Sequence, residues 1–141
     1  MASTTDQSQL SDDQLTTERD RLRQLTAEFL DAFNRGDLDA VVSSFASDGM
    51  YDEFTGQRNE GLDEIRTAFE PQFSGAFGEM KFLDEDLFID ASTGQVMASW
   101  VCTLSVKGEP TSWRGLDLIT YRGDEVVAKS TYAKTKAPRF A

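Results

Sequence analysis

The sequence contains no histidine, one cysteine and only three prolines among its 141 residues. Without histidine there can be no Ser-His-Asp or Cys-His catalytic group, no histidine-ligated zinc, iron or copper, and no imidazole acid or base. The single cysteine, Cys102, excludes an internal disulfide and a multi-cysteine zinc site, and its apolar strand context predicts an inert buried thiol. Chemistry on this chain must use carboxylates, lysine, tyrosine or a bound group, and we expect neither a cofactor nor a metal.

Positive charge is also scarce. Fourteen basic residues face twenty-five acidic ones, which gives a net charge of −11 and a pI near 4.3. Such a chain repels phosphate backbones and anionic lipid, so we expect neither a nucleic-acid nor a membrane partner. No apolar run approaches the roughly 20 residues that span a bilayer, and residues 1–14 lack the features of a secretory signal. A cytoplasmic location is therefore expected.

Apolar residues are frequent enough for one hydrophobic core. They make up 39% of the chain, and aromatic residues make up 11%. The length fits a single domain of about 100–200 residues, and no repeat or linker divides it. We expect a disordered tail at 1–10, one domain at 11–135 and a short tail at 136–141.

Helical patterns occupy the first half of the domain. Ser11 and Gln14 form a capping-box pattern before an apolar stripe, which predicts a long helix near 12–34 that Gly36 ends. Asp37 is expected to cap a short second helix. A third helix buries Leu62, Ile65 and Phe69 and is expected to stop before Pro71.

In the second half the apolar period changes from 3.6 to 2, which predicts strands. They are expected at 50–54, 82–90, 95–107, 111–121 and 125–133, the second with a solvated break at Asp84-Glu85-Asp86 rather than a cation site. Three helices followed by a strand meander indicate an α+β fold. We expect a cone-shaped, curved antiparallel sheet wrapped around three N-terminal helices, with an internal pocket.

Two parts of the chain resemble a known superfamily. Residues 25–42 (LTAEFLDAFNRGDLDAVV) with 45–49 (FASDG) look like the N-terminal half of nuclear-transport-factor-2-like proteins. Residues 113–121 (WRGLDLITY) and 124–127 (DEVV) resemble their strand, turn and strand. The likeness is closest to the ketosteroid-isomerase and SnoaL-like polyketide-cyclase branches, and it implies the conical fold, a small-molecule pocket and a homodimer.

The resemblance also implies catalytic positions. Glu53 falls where the isomerases have their general base, and Asp117 falls where they have a protonated acid. Their tyrosine position is Phe29 here, and losing one oxyanion donor typically costs on the order of 100- to 1000-fold in rate. Tyr51, two residues from Glu53 on the same strand face, is the best substitute donor. These residues imply cofactor-independent isomerase or cyclase chemistry, whereas Phe29 favours the alternative of a non-catalytic ligand-binding or dimerisation module.

Strand alternation predicts which side chains share the pocket. If Asp117 points inward, Trp113 and Ile119 do so too. The register implied by the resemblance also directs Lys129 and Thr131 inward. With Phe29, these residues would surround a small apolar or aromatic ligand.

Lys129 leaves three alternatives open. It could be an exposed strand lysine, an ion-pair partner of Asp117 or a functional lysine. An Asp117–Lys129 pair would keep both groups charged and would argue against a protonated Asp117.

The opposite sheet face carries Leu116, Leu118 and Val127. An exposed sheet face this apolar favours a partner, and we expect a homodimer through the outer face of the sheet.

Overall fold

The computed structural model describes residues 10–134, within which it has three helices and six strands. In chain order they are α1 (Asp12–Asn34), α2 (Leu38–Ser43), β1 (Phe45–Asp52), β2 (Arg58–Glu60), α3 (Leu62–Phe73), β3 (Lys81–Asp90), β4 (Gln95–Val106), β5 (Glu109–Arg122) and β6 (Glu125–Lys134). The expected tails lie outside the described residues, except for position 10. Within the described part, no helix is long and apolar enough to cross a membrane.

α1 begins at the predicted capping box. The Gln14 backbone N–H donates to Ser11 Oγ over 3.2 Å, and the Ser11 N–H donates to Gln14 Oε1 over 2.8 Å. Gly36, at φ 71°, takes the left-handed conformation that ends the helix. Asp37 then caps α2 by accepting from the Ala40 N–H over 3.0 Å. Local sequence therefore determines where α1 begins and where the chain turns into α2.

Ser11→Ala should lower the free energy of unfolding by about 1 kcal/mol, because it leaves an N-terminal N–H of α1 without its side-chain acceptor. Urea denaturation measures the change. Thr17→Ala, an exposed substitution in the same helix, is the control and should be neutral or slightly stabilising because alanine favours helix. Equal losses in both variants would contradict this role of the cap.

α3 does not stop before Pro71, as predicted from the sequence, but continues to Phe73. A proline lacks an N–H and clashes with the carbonyl four residues earlier, so it disturbs one helical bond. Here only the last turn is affected, and that turn brings the Phe73 ring to 5.9 Å from the Phe33 ring. Aromatic packing in the core offsets the local cost of the proline.

The sheet has the strand order β2-β1-β6-β5-β4-β3. Neighbouring strands are antiparallel, except that β1 and β6 run parallel and place Tyr51 opposite Lys129. The predicted fold class is confirmed: the chain is mixed α+β with a curved, unclosed sheet. The sequence did not predict the parallel pairing, the start of β1 at Phe45, or the short strand β2.

β3 forms one edge of the sheet, and its pairing with β4 is interrupted between Asp84 and Leu87, as the acidic break predicted. At this interruption Glu85 forms an ion pair with Arg114 at 2.6 Å. No cluster of acidic or cysteine side chains suited to a metal occurs among residues 10–134. Near the start of β3, the Asn34 side-chain amide accepts from the Phe82 N–H over 2.7 Å and donates to the Phe82 carbonyl over 2.9 Å.

The main core lies between the helices and the inner face of the sheet. Four phenylalanines from α1, β1 and α3 form its centre, with ring centroids 5.2–6.1 Å apart: Phe29, Phe33, Phe45 and Phe69. Such edge-on and tilted pairs pack favourably beyond their buried area. This core fills one end of the fold and leaves the other end open for a site.

Candidate functional site

A cavity of about 280 Å³ lies between the helices and the inner face of the sheet. Aromatic rings from α1, the loops and the strands form much of its wall: Phe33, Phe54, Phe77, Phe82, Trp100 and Trp113. Tyr51, Glu53, Asp117, Lys129 and Thr131 add polar atoms. A mainly apolar cavity with a few convergent polar groups is typical of a small-molecule site.

The deep end of the cavity holds an ion pair. Lys129 Nζ lies 3.1 Å from Asp117 Oδ1, and the two side chains are only 5% and 4% exposed. The Thr131 hydroxyl donates to Asp117 Oδ1 over 2.7 Å, and Trp100 Nε1 donates to Asp117 Oδ2 over 3.1 Å. We call these four residues the floor cluster. Asp117 therefore accepts from all three partners, an arrangement that suits a carboxylate and does not support the protonated acid implied by the resemblance.

Aromatic rings enclose the Lys129 ammonium. Its Nζ lies 4.6 Å from the centre of the Tyr51 ring and 5.5 Å from each of the Phe33 and Phe69 rings. It also donates to Thr131 Oγ1 over 2.8 Å. Of the three alternatives for Lys129, the structure supports the ion pair, and ring faces stabilise the buried cation further.

Tyr51 lies beside this ammonium and stacks on Phe69 with ring centroids 4.3 Å apart. Burial raises the pKa of its phenol, an effect that the charge of Lys129 partly opposes. Tyr51 is therefore protonated at neutral pH and can donate a hydrogen bond.

Glu53 follows directly after β1 and is half-buried. Its Oε2 accepts from Asn59 Nδ2 over 2.9 Å, and the same amide donates to the Tyr51 carbonyl over 3.2 Å. Asn59 thus ties the Glu53 side chain to the backbone of β1. Sequence reasoning missed this role because Asn59 lies in β2, a strand of three residues without an apolar pattern.

Part of the lining is formed by exposed Phe54 and half-buried Glu53 and Trp113, a set that we call the mouth. Phe54 is 51% exposed, and its ring lies 6.2 Å from the Trp113 ring. Trp113 lines the cavity as strand alternation predicted. The mouth therefore combines a carboxylate with two aromatic faces.

Two predicted pocket residues do not line this cavity. Phe29 is 2% exposed and Ile119 is 1% exposed, and both belong to the main core. On α1, Leu30 and Phe33 reach the cavity, whereas the Phe29 ring packs against Phe45. Ile119 shares a strand face with Asp117 but lies one pleat further along, where the core closes the cavity. The pocket assignment of both residues is corrected accordingly.

Cys102 lines the cavity but is almost completely buried. Burial raises the pKa of its thiol to about 11. At neutral pH it is a protonated, weakly nucleophilic thiol, which agrees with the expectation of an inert cysteine.

Tyr121, in β5, provides a pH test of the core beside the site. Its hydroxyl lies 3.0 Å from the Thr26 hydroxyl, and burial raises its pKa from 10.0 to about 12. The unfolded chain ionises first, so Tyr121 contributes its full stabilisation below pH 10 and loses it as the pH rises towards 12. Urea denaturation between pH 9 and 12 should show falling stability, with a shallower fall for Tyr121→Phe. Identical slopes would contradict this assignment.

Residues 26–129 match the family model of the SnoaL-like domain. This match covers most of the chain and includes the mouth and three of the four floor-cluster residues, with Thr131 just beyond its end. The chain belongs to the SnoaL-like family. No curated protein matches this SnoaL-like chain significantly in sequence.

Solved structures agree with the fold of this SnoaL-like protein. A candidate polyketide cyclase from Xanthomonas campestris pv. campestris is 22% identical, with a TM-score of 0.70 over 83% of this chain and 93% of that one. A candidate hydroxylase from Streptomyces galilaeus is 14% identical, with a TM-score of 0.72 over 84% and 92%. A protein with a ketosteroid-isomerase-like fold from Catenulispora acidiphila, in complex with trimethylamine, is 18% identical, with a TM-score of 0.68 over 77% and 83%. At these identities the similarity shows the shared fold.

Proposed function

We propose that this SnoaL-like protein binds a small, largely apolar or aromatic molecule in its cavity. The observation that carries the proposal is the cavity of about 280 Å³, which aromatic rings wall and whose polar lining residues include those of the mouth and the floor cluster. The similarity to a candidate polyketide cyclase supports a polyketide-like ligand.

Thermal unfolding against steroids, polyketide-like phenols and small enones tests this proposal. A ligand at about 100 times its dissociation constant should add roughly 2.7 kcal/mol to the stability, which is a visible shift in Tm. Ala68→Phe, which fills the cavity, should remove the shift, whereas Ala27→Phe on the exposed face of α1 should keep it. Absence of a shift with every compound, or equal shifts in both variants, would count against binding in this cavity.

A second candidate function is proton transfer by Glu53, as in cofactor-independent isomerases and cyclases. It is favoured by the position of this carboxylate, fixed by Asn59 at the wall of an apolar cavity. Glu53 would take a proton from the carbon beside a ligand carbonyl, the electron pair would move to the carbonyl oxygen, and the proton would return at another carbon. Tyr51, rather than the ionised Asp117, would donate to the enolate oxygen.

Once a ligand is known, Glu53→Gln tests the chemical step. The variant should keep the affinity for a neutral ligand and lose turnover, and Glu109→Gln, an exposed carboxylate outside the cavity, is the control. Full turnover by Glu53→Gln would show that Glu53 is not the base, whereas no turnover by wild type would leave the non-catalytic ligand-binding module as the function.

We further propose that two copies associate through the outer face of the sheet. This face exposes a row of apolar side chains across β3, β4 and β5, formed by Phe88, Met97 and Leu118, and Leu116 lies opposite Tyr132. Phe88 is 64% exposed and Tyr132 is 57% exposed, more than a solitary sheet face usually tolerates. Light scattering after size exclusion should give a dimer at micromolar concentration and a monomer for Leu118→Lys. A monomeric wild-type chain would contradict this proposal.

A further inference from the structure

The charges of the cavity lining do not cancel. Among the described lining residues three are charged, namely Glu53, Asp117 and Lys129. Asp117 and Lys129 neutralise each other at the floor. The Glu53 carboxylate accepts from the Asn59 amide, which is neutral. Within residues 10–134, one negative charge at the mouth therefore remains without a compensating cation.

We infer that the cavity selects its ligand by charge: it takes an apolar molecule whose polar head is a protonated amine and disfavours the corresponding carboxylate, with Glu53 as the residue that discriminates. This inference rests on the ligand-binding function proposed above. It goes beyond that proposal because it names the chemical class of the head group and the residue that discriminates between head groups.

The mouth favours a cation for two reasons. The Phe54 and Trp113 rings, 6.2 Å apart, line the cavity together with Glu53, and aromatic faces attract cations. The chain as a whole carries a net charge of −11, which raises the local concentration of cations and lowers that of anions.

The floor cluster cannot serve an anion instead. The Lys129 ammonium already donates to Asp117 and Thr131, and its side chain is 5% exposed among aromatic rings. A ligand carboxylate could reach this ammonium only by displacing Asp117. The Asp117 carboxylate would then be buried without its ion partner.

A matched set of probes tests the inference: 2-naphthylmethylamine, 2-naphthylmethanol and 2-naphthoate at pH 7, where the first is cationic, the second neutral and the third anionic. Isothermal titration calorimetry measures each dissociation constant with wild type, Glu53→Gln and Glu109→Gln. The last variant removes the same charge from an exposed site outside the cavity.

Wild type should bind the amine at least as tightly as the alcohol and bind the carboxylate about tenfold more weakly or worse, which is a difference of about 1.4 kcal/mol. Glu53→Gln should weaken the amine by about tenfold, strengthen the carboxylate and change the alcohol little. Glu109→Gln should preserve the wild-type order.

Each other outcome overturns the inference in a recognisable way. Selection by charge is wrong if wild type binds the alcohol and the carboxylate equally well. It is also wrong if Glu53→Gln changes the dissociation constants of all three probes by the same factor. In both cases the binding function stands. If wild type binds none of the three, both the binding function proposed for this cavity and the inference that rests on it are contradicted.

Discussion

Replacing Lys129 with methionine should lower the free energy of unfolding by about 3–5 kcal/mol, because it leaves the buried carboxylate of Asp117 without its cation. Methionine matches the length of the lysine stem, so the loss reports mainly the missing charge. Trp100 and Thr131 still donate to the carboxylate, but neither neutralises it.

Urea denaturation of four variants separates this effect from a loss of packing. Lys129→Met/Asp117→Asn should regain much of the stability lost in Lys129→Met, since the second change removes the unpaired charge. Arg122→Met breaks an exposed ion pair with Asp48 and should change the stability little, because solvent screens exposed charges. Asp117→Asn alone completes the cycle. A loss in Lys129→Met no larger than that in Arg122→Met would show that the floor pair contributes little to stability.

Gly115→Ala should destabilise the protein by about 1–3 kcal/mol, because the site has no room for a methyl group. A Cβ at position 115 would lie 2.3 Å from Cη2 of Trp100 and 2.6 Å from the backbone carbonyl oxygen of Tyr132. Gly115 is the cross-strand partner of Trp100, so the absent side chain lets the indole lie across β5. From there the indole N–H reaches Asp117.

A double-mutant cycle with Trp100→Phe checks this reason. The smaller ring lacks the two atoms that Gly115→Ala would approach most closely on the indole. Adding Gly115→Ala to Trp100→Phe should therefore cost less than adding it to wild type. Near-ultraviolet circular dichroism of Gly115→Ala should also change as the indole moves. Additive losses with an unchanged spectrum would show that the indole is not held by this glycine.

Features fixed by neighbours in sequence could be predicted, because their causes lie within a few residues. The Ser11 cap, the Asp37 cap and the acidic break in β3 are of this kind, and the structure confirms all three. The expectation that α3 stops before Pro71 is wrong. A proline does cost free energy in a helix, but packing of Phe73 against Phe33, which is far away in the sequence, outweighs that cost. The residues next to Pro71 in the sequence do not indicate that contact.

Site geometry was only partly predictable for the same reason. Alternation along β5 placed Asp117 and Trp113 on one face, but their depth depends on how far the core extends along the strand. The core extends along β5 as far as Ile119, which is therefore a core residue, whereas Asp117 lies beyond it and lines the cavity. The contact between Asn59 and Glu53 requires β2, and a strand of only three residues has too short a pattern to be predicted from the sequence.

The edge formed by β3 has a consequence for how this protein behaves at high concentration. A long exposed strand normally offers its backbone groups to another chain, and sheets can then grow from molecule to molecule. Here the Asn34 amide already occupies both backbone groups of Phe82, and acidic side chains crowd the interruption that follows. A strand from a second copy would meet Phe82 backbone groups that are already hydrogen-bonded, then the interruption in β3, and then acidic side chains of the same charge as its own. The fold can thus expose an apolar outer sheet face without offering the β3 edge as a template for fibres.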